Sequence, residues 1–414
     1  MLPSHAELIW AIAAAATAGV IIRPFGWPEF VWAAGGAGLL IACGLLSRTA
    51  AVVGIARGTD VYLFLTGMML LSEIARQEGL FDWVAAYAAS AARGSAARLF
   101  TLVFGIGTAV TVFLSNDATA VVLTPAVAAM TRAARAENPL PYLFACAFIA
   151  NAASFVLPIS NPANLVITGD AMPPLLEWLP RYALPSAVSI LATYAALRWS
   201  QRAALRQPIT RDIALPPLSS AGLMAAIGIA GAAIALLTAS ALGAQLGWPT
   251  FLAGGATVAL VLTRSRNGVV NVLRHISWGV LPLVAGLFVL VEALQATGVT
   301  RMLSSQLQRL AGQSPHFAVW AAGAVLGIGS NLVNNLPAGL IAGRVVAQAP
   351  DQLRAAVLIG VDLGPNLSVT GSLATILWLA ALKREGISIS AWTFLKLGAL
   401  VMLPALALSL SVLN

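Results

Sequence analysis

Apolar residues run along this chain in blocks too continuous for a soluble core. At roughly 6–22, 30–47, 59–75, 175–198, 218–240, 247–263, 275–297 and 391–412 the blocks are long enough for a helix of ~20 residues to cross a hydrocarbon layer. Four further regions are apolar but interrupted: 98–134 at Ser115-Asn116-Asp117, 140–170 between Pro158 and Asn164, 316–349 between Asn331 and Pro337, and 352–382 between Gly364 and Ser372. Such interruptions free backbone N–H and C=O groups that lipid cannot satisfy, so they must be buried in protein or line a wet cavity. Helices broken at membrane depth are a feature of transporter cores.

The pattern is duplicated. Gly67, Glu73 and Gly79 recur as Gly286, Glu292 and Gly298 at an offset of 219, Asn116-Asp117 falls opposite Asn334-Asn335, and Ile149 to Asn164 falls opposite Ile359 to Ala374. The reading is an all-α polytopic membrane protein of about ten transmembrane helices plus two re-entrant hairpins in an inverted repeat. Residues 1–198 form the first repeat, with hairpin 98–134 and broken helix 140–170. Residues 199–217 are a cytoplasmic linker, rich in Arg and broken by Pro208, Pro216 and Pro217. Residues 218–414 form the second repeat, with hairpin 316–349 and broken helix 352–382. The first apolar run lacks a charged leader and a cleavage site, so it reads as a retained span.

Composition agrees: 59% of residues are hydrophobic, 9% are charged, and the mean hydropathy is +0.88. The net charge of +8 changes the picture only through its distribution. Counting the hairpins as returning to their own side, sixteen basic residues, among them Arg198, Arg202, Arg206, Arg211, Arg264 and Arg266, share the linker's side and seven lie opposite. That bias makes the linker side cytoplasmic and runs the two repeats in opposite senses. No dense basic tract accompanies the charge, which excludes nucleic acid as a partner. Cys43 and Cys146 are isolated in apolar segments, which suits neither a disulfide framework nor a metal site. His275 and His316 stand at expected helix starts outside any cluster, and no HExxH, Walker or GxSxG arrangement occurs, so neither catalysis nor a cofactor has support.

Candidate chemistry therefore lies in the interruptions. Asp117 at the first hairpin tip is the strongest single candidate, because a carboxylate inside a membrane needs a partner or a proton. The opposite tip carries Asn334 and Asn335, amides that hydrogen-bond but do not titrate. The broken helices add Ser160, Asn161 and Asn164 in one half, and Thr370, Ser372 and a second carboxylate, Asp362, in the other. Asp117 and Asp362 are the proton-coupling candidates. Glu73 and Glu292 sit at equivalent helix ends before a Gly and an amphipathic stretch, where an interfacial acid capping the next helix is expected.

The stretches Leu114-Ser115-Asn116-Asp117-Ala118-Thr119-Ala120, Ile159-Ser160-Asn161-Pro162-Ala163-Asn164, Asn334-Asn335-Leu336-Pro337 and Asp362-Leu363-Gly364-Pro365-Asn366-Leu367, with Gly371-Ser372-Leu373-Ala374-Thr375, resemble the arsenite/antimonite efflux permeases of the ArsB kind, in the ion transporter superfamily. The resemblance spans nearly the whole chain. It implies arsenite or antimonite leaving the cytoplasm across a prokaryotic inner membrane, by proton antiport and alternating access. In some family members a peripheral arsenite-stimulated ATPase docks as well. Arsenite at neutral pH is an uncharged trihydroxide, and without a thiolate cluster its recognition falls to hydroxyls and amides. The implied binding set is Asn116, Asp117, Ser160, Asn161, Asn164, Asn334, Asn335, Thr370 and Ser372. A sodium-coupled dicarboxylate carrier, a sodium/proton antiporter and a silicic acid exporter of the same superfamily are the alternatives, although no Arg or Lys lies in the four breaks to meet a dicarboxylate.

Overall fold

A computed structural model describes residues 4–413, apart from 212, 214, 266 and 267. Arg266, counted above on the basic side, lies outside the described residues. Secondary structure among the described residues is helical, with one isolated antiparallel bridge between Ser95 and Pro208.

The first half holds α1 (His5–Ile22), α2 (Glu29–Ala42), α3 (Arg48–Arg57), α4 (Thr59–Gln77), α5 (Leu80–Ala92) and α6 (Ala96–Phe113). After the first tip come α7 (Asn116–Ala118), α8 (Thr124–Ala133), α9 (Leu140–Ala152), α10 (Pro162–Thr168) and α11 (Leu175–Ser200). The second half holds α12 (Ser220–Ala241), α13 (Gly247–Leu262), α14 (Val269–His275), α15 (Val280–Ala296), α16 (Val299–Gln313) and α17 (Pro315–Val333). After its tip follow α18 (Asn335–Val346), α19 (Asp351–Leu363), α20 (Leu373–Arg384) and α21 (Ala391–Ser411). Five of these, α1, α6, α12, α17 and α21, are individually long and apolar enough to cross a membrane, and α14 with α15 makes a sixth span bent by 43°.

Three expectations change. The run 275–297 is not one helix: His275 ends α14 rather than starting a span, and its ring bonds the carbonyl of Asn271 at 2.8 Å. The apolar run at 30–47 gives only the 14 residues of α2, stopped near Gly44, which sits at φ 69°. The hairpins are lopsided, because α6 and α17 have 18 and 19 residues and at 1.5 Å per residue are each as long as a full span.

Sequence explains the main turns. Ser4 and Glu7 form a reciprocal capping box on α1, and Ser47, Ser95, Ser219 and Ser390 cap their helices. Gly79 and Gly298 take φ of 71° and 83°, turning α4 into α5 and α15 into the strongly amphipathic α16. A side chain there would be strained, which accounts for glycine at both copies of that turn. The glycines that open the repeated motif do different work. Gly67 on α4 lies against the backbone of α13, where a Cβ on Gly254 would come 2.6 Å from the Gly67 carbonyl oxygen; Gly286 on α15 lies against α2, where its own Cβ would come 2.6 Å from the carbonyl carbon of Ala33. Small residues allow this close helix packing where lipid supplies no hydrophobic drive.

Thus α4 packs on α13 and α15 packs on α2, and each half lends a helix to the other's central helix. Beside these, α9 is buried on every side from Pro141 to Ala152, and α19 is continuously buried from Ala355 to Leu363. A helix apolar all round belongs inside a bundle. Trp378 on α20 fixes this interior by donating to the Leu143 carbonyl at 3.0 Å while its ring packs on Phe144 and Phe394. The segment after α11 crosses the base of the first hairpin, with Ile209 N–H donating to the Gly94 carbonyl at 3.3 Å and Thr210 N–H to the Ala134 carbonyl at 2.9 Å.

Candidate functional site

Four interruptions converge where the two buried helices end. At the first tip the chain leaves α6 through an extended Ser115, whose hydroxyl accepts the Ala118 N–H at 3.2 Å and starts a short helix. A π-helical turn over Thr119–Leu123 follows before α8. π turns interrupt the regular ladder and are common at functional positions. Asn116 is buried with its side-chain oxygen on the Asp117 N–H, and Asp117 is half-buried with no partner for its carboxylate among the described residues.

At the second tip Asn334 takes φ 72° and ψ 152°, a region that costs a non-glycine residue ~1–3 kcal/mol. Its side chain holds the bend by accepting the Leu336 N–H at 3.4 Å and donating to the Thr370 carbonyl at 3.3 Å. The Asn335 N–H donates to the Gly371 carbonyl at 2.8 Å. Tip and broken helix are therefore stitched together.

The two broken helices are locked by crossed asparagines. Asn161, in the first break, donates to Asp362 at the end of α19 at 2.8 Å. In the opposite sense, Asn151 near the end of α9 donates to the side-chain oxygen of Asn366, in the second break, at 3.0 Å. Asn366 in turn donates to the Phe148 carbonyl at 2.9 Å. All four residues are at most 1% exposed. The second carboxylate oxygen of Asp362, Oδ2, is buried without a hydrogen-bond partner among the described residues.

Of the expected binding set, Asn116, Asp117, Asn161, Asn335 and Ser372 line one small cavity of about 10 Å³, with Leu65 of α4 and Val280 of α15 closing it. That is room for no more than a water molecule, so this conformation is contracted around the site. The remaining four face elsewhere. Ser160 donates to the Val112 carbonyl, Asn164 donates to the carbonyls of Ser154, Leu157 and Pro158, and Thr370 donates to the Asn331 carbonyl. Asn334 holds its own tip. These residues keep freed backbone groups paired, the task that a broken helix imposes. Asp362 does not line the cavity and lies behind Asn161.

Asp117 also lines a second, larger cavity of about 80 Å³, together with Met68, Ser72, Glu73, His275 and Ser277. Leu65, Asp117, Pro162, Val280 and Leu373 line both, so the two adjoin at the Asp117 side chain. Elsewhere between the α3–α4–α15 group and the ends of α10 and α18 lies a cavity of about 250 Å³, carrying Arg57, Asp60, Thr168, Gln245 and Arg344. Glu73 does not cap the next helix: it forms a two-pronged ion pair with Arg76 at 2.6 and 2.8 Å and accepts from Gln77. Glu292 pairs instead with Arg57 of α3. No cluster of potential metal ligands occurs among the described residues.

Sequence reasoning passed over Asn151, Asn331 and Asn366. Asn331 is a hub, donating to the Gly364 carbonyl at 2.9 Å and accepting the Ser368 N–H at 3.0 Å. The signal was present for Asn151: a single amide inside the apolar run Phe148-Ile149-Ala150 has to find a buried partner.

A citrate transporter family model, CitMHS, matches residues 17–363. An arsenical pump membrane protein of Yersinia enterocolitica is 28% identical over 361 residues, covering 84% of this chain and 84% of that one. Its counterpart in Escherichia coli K12 is 28% identical over 360 residues with the same coverage, and an uncharacterized transporter of Mycobacterium tuberculosis is 27% identical over 373 residues, again 84% of each. Among solved structures, the Alcanivorax borkumensis YdaH transporter superposes with a TM-score of 0.58 at 16% identity, covering 99% of this chain and 98% of that one. Neisseria gonorrhoeae MtrF, described as illuminating a class of antimetabolite efflux pumps, gives 0.55 at 16% identity over 100% and 96%. At these identities the structural likeness concerns the fold.

Proposed function

This chain belongs to the CitMHS citrate transporter family and is an integral membrane transporter, and on that footing we propose that it is a secondary exporter of arsenite and antimonite, coupled to proton entry across a bacterial inner membrane. The observation that carries this reading is the cavity around Asp117. Its polar lining is Asn116, Asp117, Asn161, Asn335 and Ser372, with no basic side chain. A tricarboxylate placed there would meet a carboxylate and no compensating cation, at a cost of several kcal/mol for each unpaired buried charge. Once the contracted site opens, a compact neutral trihydroxide would meet the hydroxyl, amide and carboxyl groups of these five residues.

Neutrality sets the energetics. An uncharged solute draws nothing from the membrane potential, worth ~2.3 kcal/mol per charge per 100 mV, so uphill export needs a coupled ion. Asp117 is placed to supply the coupling, because it is shared by the contracted cavity and the cleft leading past Glu73 and His275. With Asp117 ionised, its carboxylate accepts hydrogen bonds from the hydroxyls of the solute. Protonation from the opposite side turns one oxygen into a donor and weakens the group as an acceptor, which releases the load. Asp362, held by Asn161, is the second proton carrier and links protonation to the shape of the broken helices. The matched halves would then exchange roles as inverted repeats to alternate access.

The test is uptake of labelled arsenite into everted vesicles driven by an imposed pH gradient. The wild-type chain accumulates arsenite, and Asp117→Asn reduces accumulation to the level of empty vesicles at equal expression. Gradient-driven accumulation that survives Asp117→Asn combined with Asp362→Asn would overturn the coupling.

A further inference from the structure

Sharing no residue with the cavity at Asp117, the C-terminal end of α11 and the turn after it carry Arg198, Arg202 and Arg206 into one open groove of about 490 Å³. Its other walls are Tyr194, Trp199 and Leu205, with Ala97 at the start of α6 closing one side. All three guanidinium groups are exposed, none makes an ion pair among the described residues, and no carboxylate lines the groove among them. Three like charges in one concavity repel one another, and an anion is what such a site complements.

Two of the arginines are held in place by aromatic rings. Arg198 stacks 5.9 Å from the Tyr194 ring centre and donates to the Ala97 carbonyl at 3.4 Å, while Arg202 lies 5.3 Å from the Trp199 ring centre. The Tyr194 hydroxyl is bonded to Thr101 of α6 at 2.7 Å, which fixes the wall between the two helices. Trp and Tyr beside a helix end, with Arg just beyond, form the pattern found at the level of lipid headgroups. Exposed Ala195 continues the groove as apolar surface, with the largely buried Leu205 beneath it.

We propose that this groove binds the headgroup phosphate of an anionic phospholipid, with the guanidinium forks on the phosphate oxygens and the first methylenes of the acyl chains against Ala195. Guanidinium groups meet phosphate with two parallel hydrogen bonds, and the aromatic rings hold them ready. The ligand is a lipid rather than free phosphate because the site joins a Tyr–Trp pair at a helix end to the apolar wall of Ala195. Bound there, the lipid bridges α11 to the base of the first hairpin.

The measurement is thermal unfolding of the purified full-length protein in a neutral detergent with added phosphatidylglycerol, phosphatidylcholine or inorganic phosphate. Retained phospholipid is counted in parallel by native mass spectrometry. The expected result is a rise in unfolding temperature with phosphatidylglycerol alone, and a bound anionic lipid in the mass spectrum. Arg198→Gln with Arg202→Gln and Arg206→Gln should weaken binding by about a hundredfold, from about fivefold for each basic side chain at a membrane surface. Arg202→Gln with Arg206→Gln keeps the Arg198 contact to Ala97 in case the triple variant does not fold, and should still weaken binding by more than tenfold on the same ~fivefold basis. Arg301→Gln with Arg309→Gln, on α16, should leave the response unchanged. Equal stabilisation by phosphatidylcholine, the full shift with inorganic phosphate alone, or an undiminished response in the double variant would each overturn the proposal.

Discussion

Asn151 and Asp362 occupy matching stations, each near the end of a buried helix that runs into a break, and each is tied to an asparagine from the opposite half. The first pair is amide to amide. Asn366 also donates to the Phe148 carbonyl, and the Asn151 side-chain oxygen accepts from Ser372 at 3.3 Å, so that pair is closed on itself. The second pair ends in a carboxylate with one oxygen, Oδ2, left without a hydrogen-bond partner among the described residues. The tips reverse the contrast, with the carboxylate Asp117 facing the cavity from the first half and the amide Asn335 from the second. Each half therefore carries one of the two carboxylates at a station where the other half has an amide, Asp117 opposite Asn335 and Asp362 opposite Asn151.

The largest test of that contrast is Asp117→Asn in vesicles, described above, which makes the two tips chemically alike. Next comes Asn161→Leu, which strips Asp362 of its donor. Leaving a buried neutral group unpaired costs about 1–3 kcal/mol, and leaving a buried charged group short of a donor costs more. Asn161→Leu should therefore destabilise more as the pH rises and Asp362 ionises, while Asn151→Leu should cost about 1–3 kcal/mol with no pH dependence. Thermal unfolding of both variants across a pH series checks this, and parallel curves would mean that the two pairs are electrically equivalent.

A third test asks whether the halves are equal in packing where they differ in charge. Gly67→Val and Gly286→Val each force a side chain into a helix–helix contact, and should destabilise by similar amounts, about 1–3 kcal/mol. A large inequality would show that the α4–α13 and α15–α2 joints are not equivalent.

The smallest effect is expected at the rim, where Arg181 and Arg354 both bind Asp351 and hold its carboxyl below the ordinary range, Arg354 most strongly. Asp351 is half-exposed, so solvent screens the pair and Asp351→Asn should cost under ~1 kcal/mol near neutral pH. Because the folded state lowers this pKa, the contribution is complete above the unfolded value of ~3.9 and fades as the pH falls through the folded one. Wild type and variant should converge in acid, in contrast to the interior pairs.

Much of the architecture was legible because a bilayer permits few solutions. Long apolar runs must be helices, and polar interruptions inside them must be gathered together. The repeated Gly-Glu-Gly pattern pointed to paired turns, which Gly79 and Gly298 make with positive φ. Less legible was the division of labour among polar residues in the breaks. Asn161 and Asn164 are three residues apart on the same short segment, yet one lines the cavity and the other pairs three loop carbonyls. Hydropathy assigns both to a polar break and cannot say which way each side chain turns. Glu73 and Glu292 were misread as caps for a related reason: each found an arginine instead, Arg76 one turn along its own helix and Arg57 on a neighbouring one.

By itself the sequence determined a helical membrane protein in which polar segments interrupt apolar ones at corresponding places in two halves, because burial of backbone groups in lipid leaves no other arrangement. Only the tertiary structure decided which of those polar groups meet. The crossed asparagines join residues more than two hundred positions apart, and such contacts follow from how helices pack in space rather than from any local pattern. Packing alone placed Asp117 against a cavity and Asp362 behind an amide, so that two carboxylates of the same chemistry have different surroundings.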